Sequence, residues 1–460
     1  MRITWKSTRT TAYLLMKFGY YTLRFFYRKW NSLLAKVKQL ALFYYFSLFI
    51  FPKVNRERPI KPRLLFGFAP ILNNKYWSQA MSRGNYISHS ISNAIPNNSS
   101  KDDFDFYIDE LFPIKGKHTI WNITLQKLRL FTYVLSNYDI LIMSFRYNYF
   151  KDTVFWNKEA AILKEYGLKT VIIPYGSDYY IYSKVIDHSL KHNLMVNVAP
   201  DIFYNKEKET KIAYWRDNAD FILMGFMLDD APRWDALPVS SLCIDTERWK
   251  RTKKESKADG TNETVTIVHT PNHRGFKGTE FIFKAIHELK EEGLNINFIV
   301  IEKLSNNEVK RILLEEADIL IEQIIFTGYA LSGVEGLSAG IPVVSNLDRE
   351  DIVHVFRRYS YLNECPIVSG TPENIKETIR YLVQNPELRN QLGQACRQYV
   401  EKYQSYEAFQ KFFEQIINKI YLDQPVDSMN YFNPQDRNSY NNSRPLIKHP
   451  LINNRIVKAN

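Results

Sequence analysis

Residues 318–347 read DILIEQIIFTGYALSGVEGLSAGIPVVSNL. Apolar runs rich in Ile and Val stand near both ends, with small residues between them. The pattern predicts a strand over "DILIEQ", a loop through Thr327, Gly328, Tyr329 and Ala330, a helix from near Ser332 and a second buried strand at "IPVV". Strand, helix and parallel strand in succession form the unit of a doubly wound sheet. Unpaired amides at the helix start favour an anion, and Gly328, Ala330 and Gly333 let one approach the backbone closely. Two readings of Glu335, one turn in, stay open. It is a carboxylate accepting two hydrogen bonds from a ribose diol, or the far half of a capping box with Ser332.

The same alternation extends outward. Apolar runs recur at "RLLFGFA", "YDILIMSF", "LKTVIIPY" and "DFILMGF", then again at "TVTIVHTP" and "NINFIVIE", with helical stretches such as "FWNKEAAILKEYG" and "FIFKAIHELKEEG" between them. This predicts an α/β chain of two Rossmann-like, doubly wound parallel-sheet domains. A cleft between them would hold a ligand at the carboxyl ends of the strands. The polar stretch 245–264 reads as the connection. The expected domains are 61–245, facing the acceptor, and 246–422, binding a nucleotide-sugar. An arm over 1–60 precedes them, and an Asn- and Pro-rich tail over 423–460 is expected to be mobile.

The net charge of +12 is concentrated in the arm, because Arg2, Lys6, Arg9, Lys17, Arg24, Arg28, Lys29, Lys36, Lys38, Lys53 and Arg56 all precede the first acidic residue, Glu57. Aromatic and aliphatic residues share the arm with these cations. Its longest apolar run, "LALFYYFSLFIF", is shorter than the roughly 20 residues of a spanning helix. The composition suits a helix lying on an anionic membrane surface through residues 1–51, or an extra helical layer with solvated cations. No recognition motif accompanies the cations, so a nucleic-acid partner is not expected. Cys243, Cys365 and Cys396 have no paired spacing, which points to a reducing compartment.

In residues 317–344 the chain carries Ala317, Asp318, Ile319, Gly328, Tyr329, Ala330, Leu331, Glu335, Gly336, Ala339, Gly340, Pro342, Val343 and Val344 in an order that resembles the GT-B glycosyltransferases, specifically the retaining family 4-like group. The resemblance implies a metal-independent transferase without a cofactor, moving a sugar from a nucleotide-sugar to a lipid-linked or glycan acceptor with retention. It implies that Glu335 binds the ribose, while Thr327 stands where the group carries the glutamate that contacts the donor sugar.

In "HTPNHRGFKGTEF", His269 ends a strand and Gly278 precedes a helix. Lys277 stands at that helix start, where a cation neutralises a leaving diphosphate. The group's arginine position holds Asn272, and Arg274 is the nearby candidate to replace it. Gly67 follows the first strand, in a loop the resemblance places against acceptor and phosphates. In "VIIPYGSDYY", Gly176, Ser177 and Asp178 match, and Tyr175 stands in place of a histidine. Asp178 either positions the acceptor hydroxyl or is structural. Asp103 and Asp105 form a D-x-D, and His188 and His192 are four apart, but neither pair has the companions a metal site needs. The expected enzyme is therefore a glycosyltransferase peripheral on the cytoplasmic face of a membrane. The alternatives are a catalytically silent relative and, more remotely, a nucleotide-sugar epimerase.

Overall fold

The structure, a computed structural model, describes residues 5–52, 58–95, 103–146, 148–202, 205–226, 231–253 and 255–456. In chain order the elements are α1 (Trp5–Phe49), β1 (Leu64–Phe66), α2 (Leu72–Arg83), β2 (Ser88–Ser92), β3 (Phe106–Tyr107), α3 (Ile108–Leu111), α4 (Ile120–Asn137) and β4 (Ile140–Met143). They continue with α5 (Glu159–Glu165), β5 (Lys169–Ile172), α6 (His188–Ile202), α7 (Asn205–Asn218) and β6 (Phe221–Ile222). The second half holds β7 (Val265–His269), α8 (Arg274–Lys277), α9 (Thr279–Glu291), β8 (Ile296–Val300), α10 (Asn306–Glu315), β9 (Ile319–Thr327), α11 (Leu331–Ser338) and β10 (Val343–Asn346). It closes with α12 (Glu350–Tyr359), β11 (Val368–Ser369), α13 (Ile375–Gln384), α14 (Pro386–Tyr403), α15 (Tyr406–Ile420), β12 (Leu451–Ile452) and β13 (Arg455–Ile456).

The chain divides into two compact units. One comprises α1 with residues 109–137 and 149–166. Among its described side chains, those near the end of α1 are covered. Leu42, Phe43 and Phe46 are buried, Phe43 stacks on Phe155 at 4.5 Å, and the Gln39 side chain donates to the Thr124 hydroxyl at 3.1 Å. Trp30, Leu33, Leu34, Val37, Leu40, Tyr44 and Leu48, at helical spacing on the opposite face, are exposed. Among the described residues no helix is long and apolar enough to cross a membrane.

The other unit contains both large sheets, each wholly parallel. The first runs β3-β2-β1-β4-β5-β6 and the second β11-β10-β9-β7-β8. These are the two common doubly wound orders, and each reverses direction once, between β1 and β4 and between β7 and β9. The central strands β1 and β4 are continuous apolar runs because both faces are covered: Leu64–Phe66 and Ile140–Met143 are buried throughout. Helices supply the matching stripes, as where α9 buries Ile282, Ala285, Ile286 and Leu289. This is the GT-B architecture expected above, with the helical arm ahead of it.

Two stretches differ from expectation. The connection over 245–264 is tied to the second sheet, with Trp249 and Ala258 buried and the Lys253 ammonium 2.7 Å from Asp318. The Asn- and Pro-rich end is packed rather than mobile: Phe432, Tyr440, Ile447 and Leu451 are buried. Its asparagines satisfy backbone instead of water, as where the Asn454 amide donates to the carbonyls of Cys365 (2.7 Å) and Ile367 (2.9 Å). Aromatic rings in a polar sequence anchor it, and composition averaged over the stretch hides them.

Candidate active site

The two switch points face one cavity of about 670 Å³. Asn73, Tyr175, Ser177 and Lys208 line it from the first sheet's side, and Asn272, His273, Lys277, Gln323, Ala330 and Leu331 from the second. Lys208 and Lys277 are its lysines, and no Asp or Glu is among the described residues that line it. Such a cleft favours anions.

A bulge in β9 builds the second wall. Val344 pairs with Ile321 but Ser345 pairs with Gln323, and Asn346 pairs with Thr327, so the register shifts twice. Consecutive strand residues normally face opposite sides of a sheet. Here the first shift turns both Glu322 and Gln323 toward one ammonium: Lys277 Nζ lies 2.5 Å from Glu322 Oε1 and 3.0 Å from Gln323 Oε1. Gly278, at φ +75, holds α8 against the bulge, because a Cβ there would stand 2.4 Å from Ile324 Cγ1.

Glu322 is wholly buried and sits at the start of α11. The Ala330 amide donates to both its oxygens, at 3.1 and 3.2 Å, and the Ser332 hydroxyl donates at 3.1 Å. The Ser345 hydroxyl is 3.2 Å from Oε2 but closer, at 2.6 Å, to the Gly328 carbonyl, which takes its single proton. Glu322 thus occupies part of the helix start at which the sequence predicts an external phosphate.

The capping box does not form. Ala330 is the N-cap of α11 and no side chain caps it, so Ser332 and Glu335 are not joined. Glu335 lies in the body of α11, buried, with no hydrogen bond or ion pair among the described residues. Burial first, and the Glu322 carboxylate second, push its carboxyl up to about 8, against the opposing pull of Lys277.

The other expected site residues are placed as follows. Tyr329, Ala330 and Leu331 line the cavity beside Lys277. Tyr329 is anchored by its hydroxyl to Tyr399 (3.1 Å) and the Gln404 amide (3.0 Å). Gly328, at φ +105, allows Phe226 to pack against the loop, since a Cβ would stand 2.7 Å from that ring. Thr327 is buried, and among the described residues its hydroxyl has no partner. His269 is fully buried, both ring nitrogens engaged, by the Ile321 carbonyl (2.7 Å) and the Thr279 hydroxyl (2.8 Å). Burial lowers the imidazole to about 4, so it is neutral.

Arg274 stands apart from the cavity, paired with Glu280 (2.7 Å) and Glu302 (3.1 Å) on the surface. Asp178 is fully buried and pins two loops, accepting from the amides of Tyr175 (3.0 Å), Gly176 (3.1 Å) and Phe145 (3.1 Å). Desolvation still holds it up at about 6. Gly67 permits β1 to approach β2, because a Cβ would stand 2.4 Å from Ile91 Cγ2. Asp103 pairs with Lys75 (2.6 Å), and Asp105 accepts from the amide and hydroxyl of Ser90 (2.7 and 2.8 Å).

Residues 251–399 match the family model described as Glycosyl transferases group 1. The part of the chain that builds the second sheet thus carries a glycosyl transferases group 1 domain. No curated protein matches its sequence significantly. Solved structures similar to this glycosyltransferase include sucrose-phosphate synthase from Thermosynechococcus elongatus, at 10% identity over 79% of this chain and 100% of that one, with a TM-score of 0.48. WaaG, a glycosyltransferase involved in lipopolysaccharide biosynthesis, is similar at 13% identity over 78% and 98%, TM-score 0.37. MnaA of S. aureus with UDP is similar at 11% identity over 79% and 97%, TM-score 0.42.

Sequence reasoning missed Glu322, Gln323 and Lys208. A carboxylate ending an apolar run was a usable signal, because a buried carboxylate demands a partner. Lys208 lies in the charged run "NKEKETK" and had no such signal.

Proposed function

We propose that this glycosyltransferase takes its sugar from a nucleotide-sugar bound in the cleft and passes it, with retention, to a lipid-linked or polysaccharide acceptor at a cytoplasmic membrane face. The observation that carries the reading is the lysine-bearing cavity between the two switch points, with no carboxylate among its described lining residues. An ammonium has three protons to donate, and Glu322 and Gln323 take two of those of Lys277. The third is left for a ligand in the cavity that Lys277 lines. Stripping Glu322 from its donors would leave a buried charge unsatisfied, so it stays in place when the donor binds. Lys277 then stabilises the departing diphosphate from a fixed position, without a metal. Glu335, buried in α11 and not among the described residues that line the cavity, is kept as the ribose anchor on the resemblance alone. The uncovered face of α1, with Lys29, Lys36 and Lys38 exposed on the same helix, supports an anionic membrane as the place of work.

Calorimetry with UDP, GDP and ADP tests the donor half. One of the three should bind, and Lys277→Met should weaken it about tenfold or more, the loss of one charge-assisted contact. If none binds, or if Lys277→Met and Glu335→Ala both leave binding and transfer unchanged, the assignment fails.

A further inference from the structure

A second cavity, of about 390 Å³, lies on the other flank of α2. Leu72, Asn73 and Trp77 of that helix line the cleft, Lys75 and Tyr76 line the second cavity, and the two share no lining residue. Among the described residues its charged groups are Lys75, Arg248, Lys303 and Lys310 against Asp103 and Asp245. Both carboxylates are already engaged by cations, Asp103 by Lys75 at 2.6 Å and Asp245 by Arg83. Among the described residues no ion pair or hydrogen bond reaches the side chain of Arg248, Lys303 or Lys310.

Arg248 and Lys310 also act on one another. Burial first and Arg248 second hold the Lys310 ammonium below its ordinary value, with Asp245 opposing. Two cations turned into one hollow cost free energy unless an anion lies between them. Elsewhere on the surface Arg274, Arg311, Arg380 and Arg397 each have a carboxylate within 2.7 Å or less.

We propose that this cavity binds the phosphoryl group of a small phosphate monoester, at a site separate from the cleft. Arg248 offers the planar fork that grips two phosphate oxygens, and Lys310 and Lys303 supply point charges. Tyr76, Trp249 and Tyr406 wall the remainder, giving the rest of the ligand an apolar surface. Arg248 comes from the 245–264 connection, Lys303 from the β8–α10 loop and Lys310 from α10, so a bound phosphate joins the connection to the second sheet domain. None of these residues lines the cleft.

The test is equilibrium dialysis of the full chain against radiolabelled inorganic phosphate at low ionic strength, with UDP as competitor. Wild type should bind phosphate saturably, one per chain. The variants R248Q and K310Q should each weaken it, and the double variant should weaken it about tenfold or more. Lys277→Met should leave it unchanged, and UDP should not displace it. Thermal melts of the variants without phosphate confirm that they are folded. Absence of saturable binding overturns the proposal, as does binding that survives in R248Q/K310Q. Displacement by UDP overturns it too, by making the cavity part of the nucleotide site. A cleft that fails to bind UDP leaves the phosphate result standing.

Discussion

Removing the Lys277 ammonium should loosen the cleft wall by a predictable amount. Its partner Glu322 is fully buried, and after Lys277→Met it keeps only neutral donors, the Ala330 amide and the Ser332 hydroxyl. Breaking a buried pair from one side costs about 3–5 kcal/mol, and the two surviving donors argue for the lower end. A local loss of about 3 kcal/mol corresponds to roughly 10²-fold faster opening, which amide hydrogen exchange reads directly. Exchange followed by mass spectrometry on peptides spanning 319–338 should accelerate by that factor in Lys277→Met, while peptides of the first sheet stay near wild type. Glu322→Gln should also accelerate it, because one amide oxygen cannot replace two carboxylate oxygens in front of Ala330. The double variant should fall short of the summed single effects by about 2 kcal/mol, since contacting residues couple on that scale. Additive effects, or a Lys277→Met rate within about threefold of wild type, would refute the clasp and with it the fixed position of the lysine.

Two further outcomes follow from the same geometry. Glu335, held up at about 8 by burial, binds its proton more tightly folded than unfolded. Its contribution to stability is therefore complete below about pH 4.5 and declines by about 1.4 kcal/mol per pH unit until the pH passes 8; denaturation midpoints of Glu335→Gln should lack that decline, and an equal slope in both proteins would count against a buried carboxyl. On the exposed face of α1, Trp30→Glu with Val37→Glu should abolish flotation with anionic lipid vesicles while the folded spectrum is retained, and undiminished flotation would remove the membrane from the proposal.

The two sheets were legible through strands such as Ile140–Met143, an apolar run with few other uses in a chain of this composition, whereas β2, SHSIS, carries no such signal. The loop after β9 was legible in outline, since only glycine tolerates φ +105 against the Phe226 ring. What failed was the reading of single side chains. Ser332 and Glu335 have the spacing of a capping box, yet the N-cap of α11 lies two residues earlier, at Ala330. That shift moves the serine into the first turn, where its hydroxyl finds Glu322. Periodicity fixes an element to within a residue or two, and a cap requires the residue itself. The bulge that brings Glu322 and Gln323 to one ammonium leaves no trace in a hydrophobic pattern, because bulged and regular strands are equally apolar.

The internal carboxylate also bears on how an anion is held here. A helix start attracts phosphate through amides that lack intrahelical partners and through the dipole behind them. Glu322 takes one such amide, at Ala330, and offsets the charge of Lys277 at 2.5 Å. The pull on a diphosphate from this wall is therefore weaker than a bare lysine and helix start would give, and the opposite wall gains weight. Lys208 stands there, from α7, with its ammonium 3.0 Å from the Tyr180 carbonyl. On the proposed reading the donor's negative oxygens lie between the two walls that carry Lys277 and Lys208, instead of resting on α11 alone.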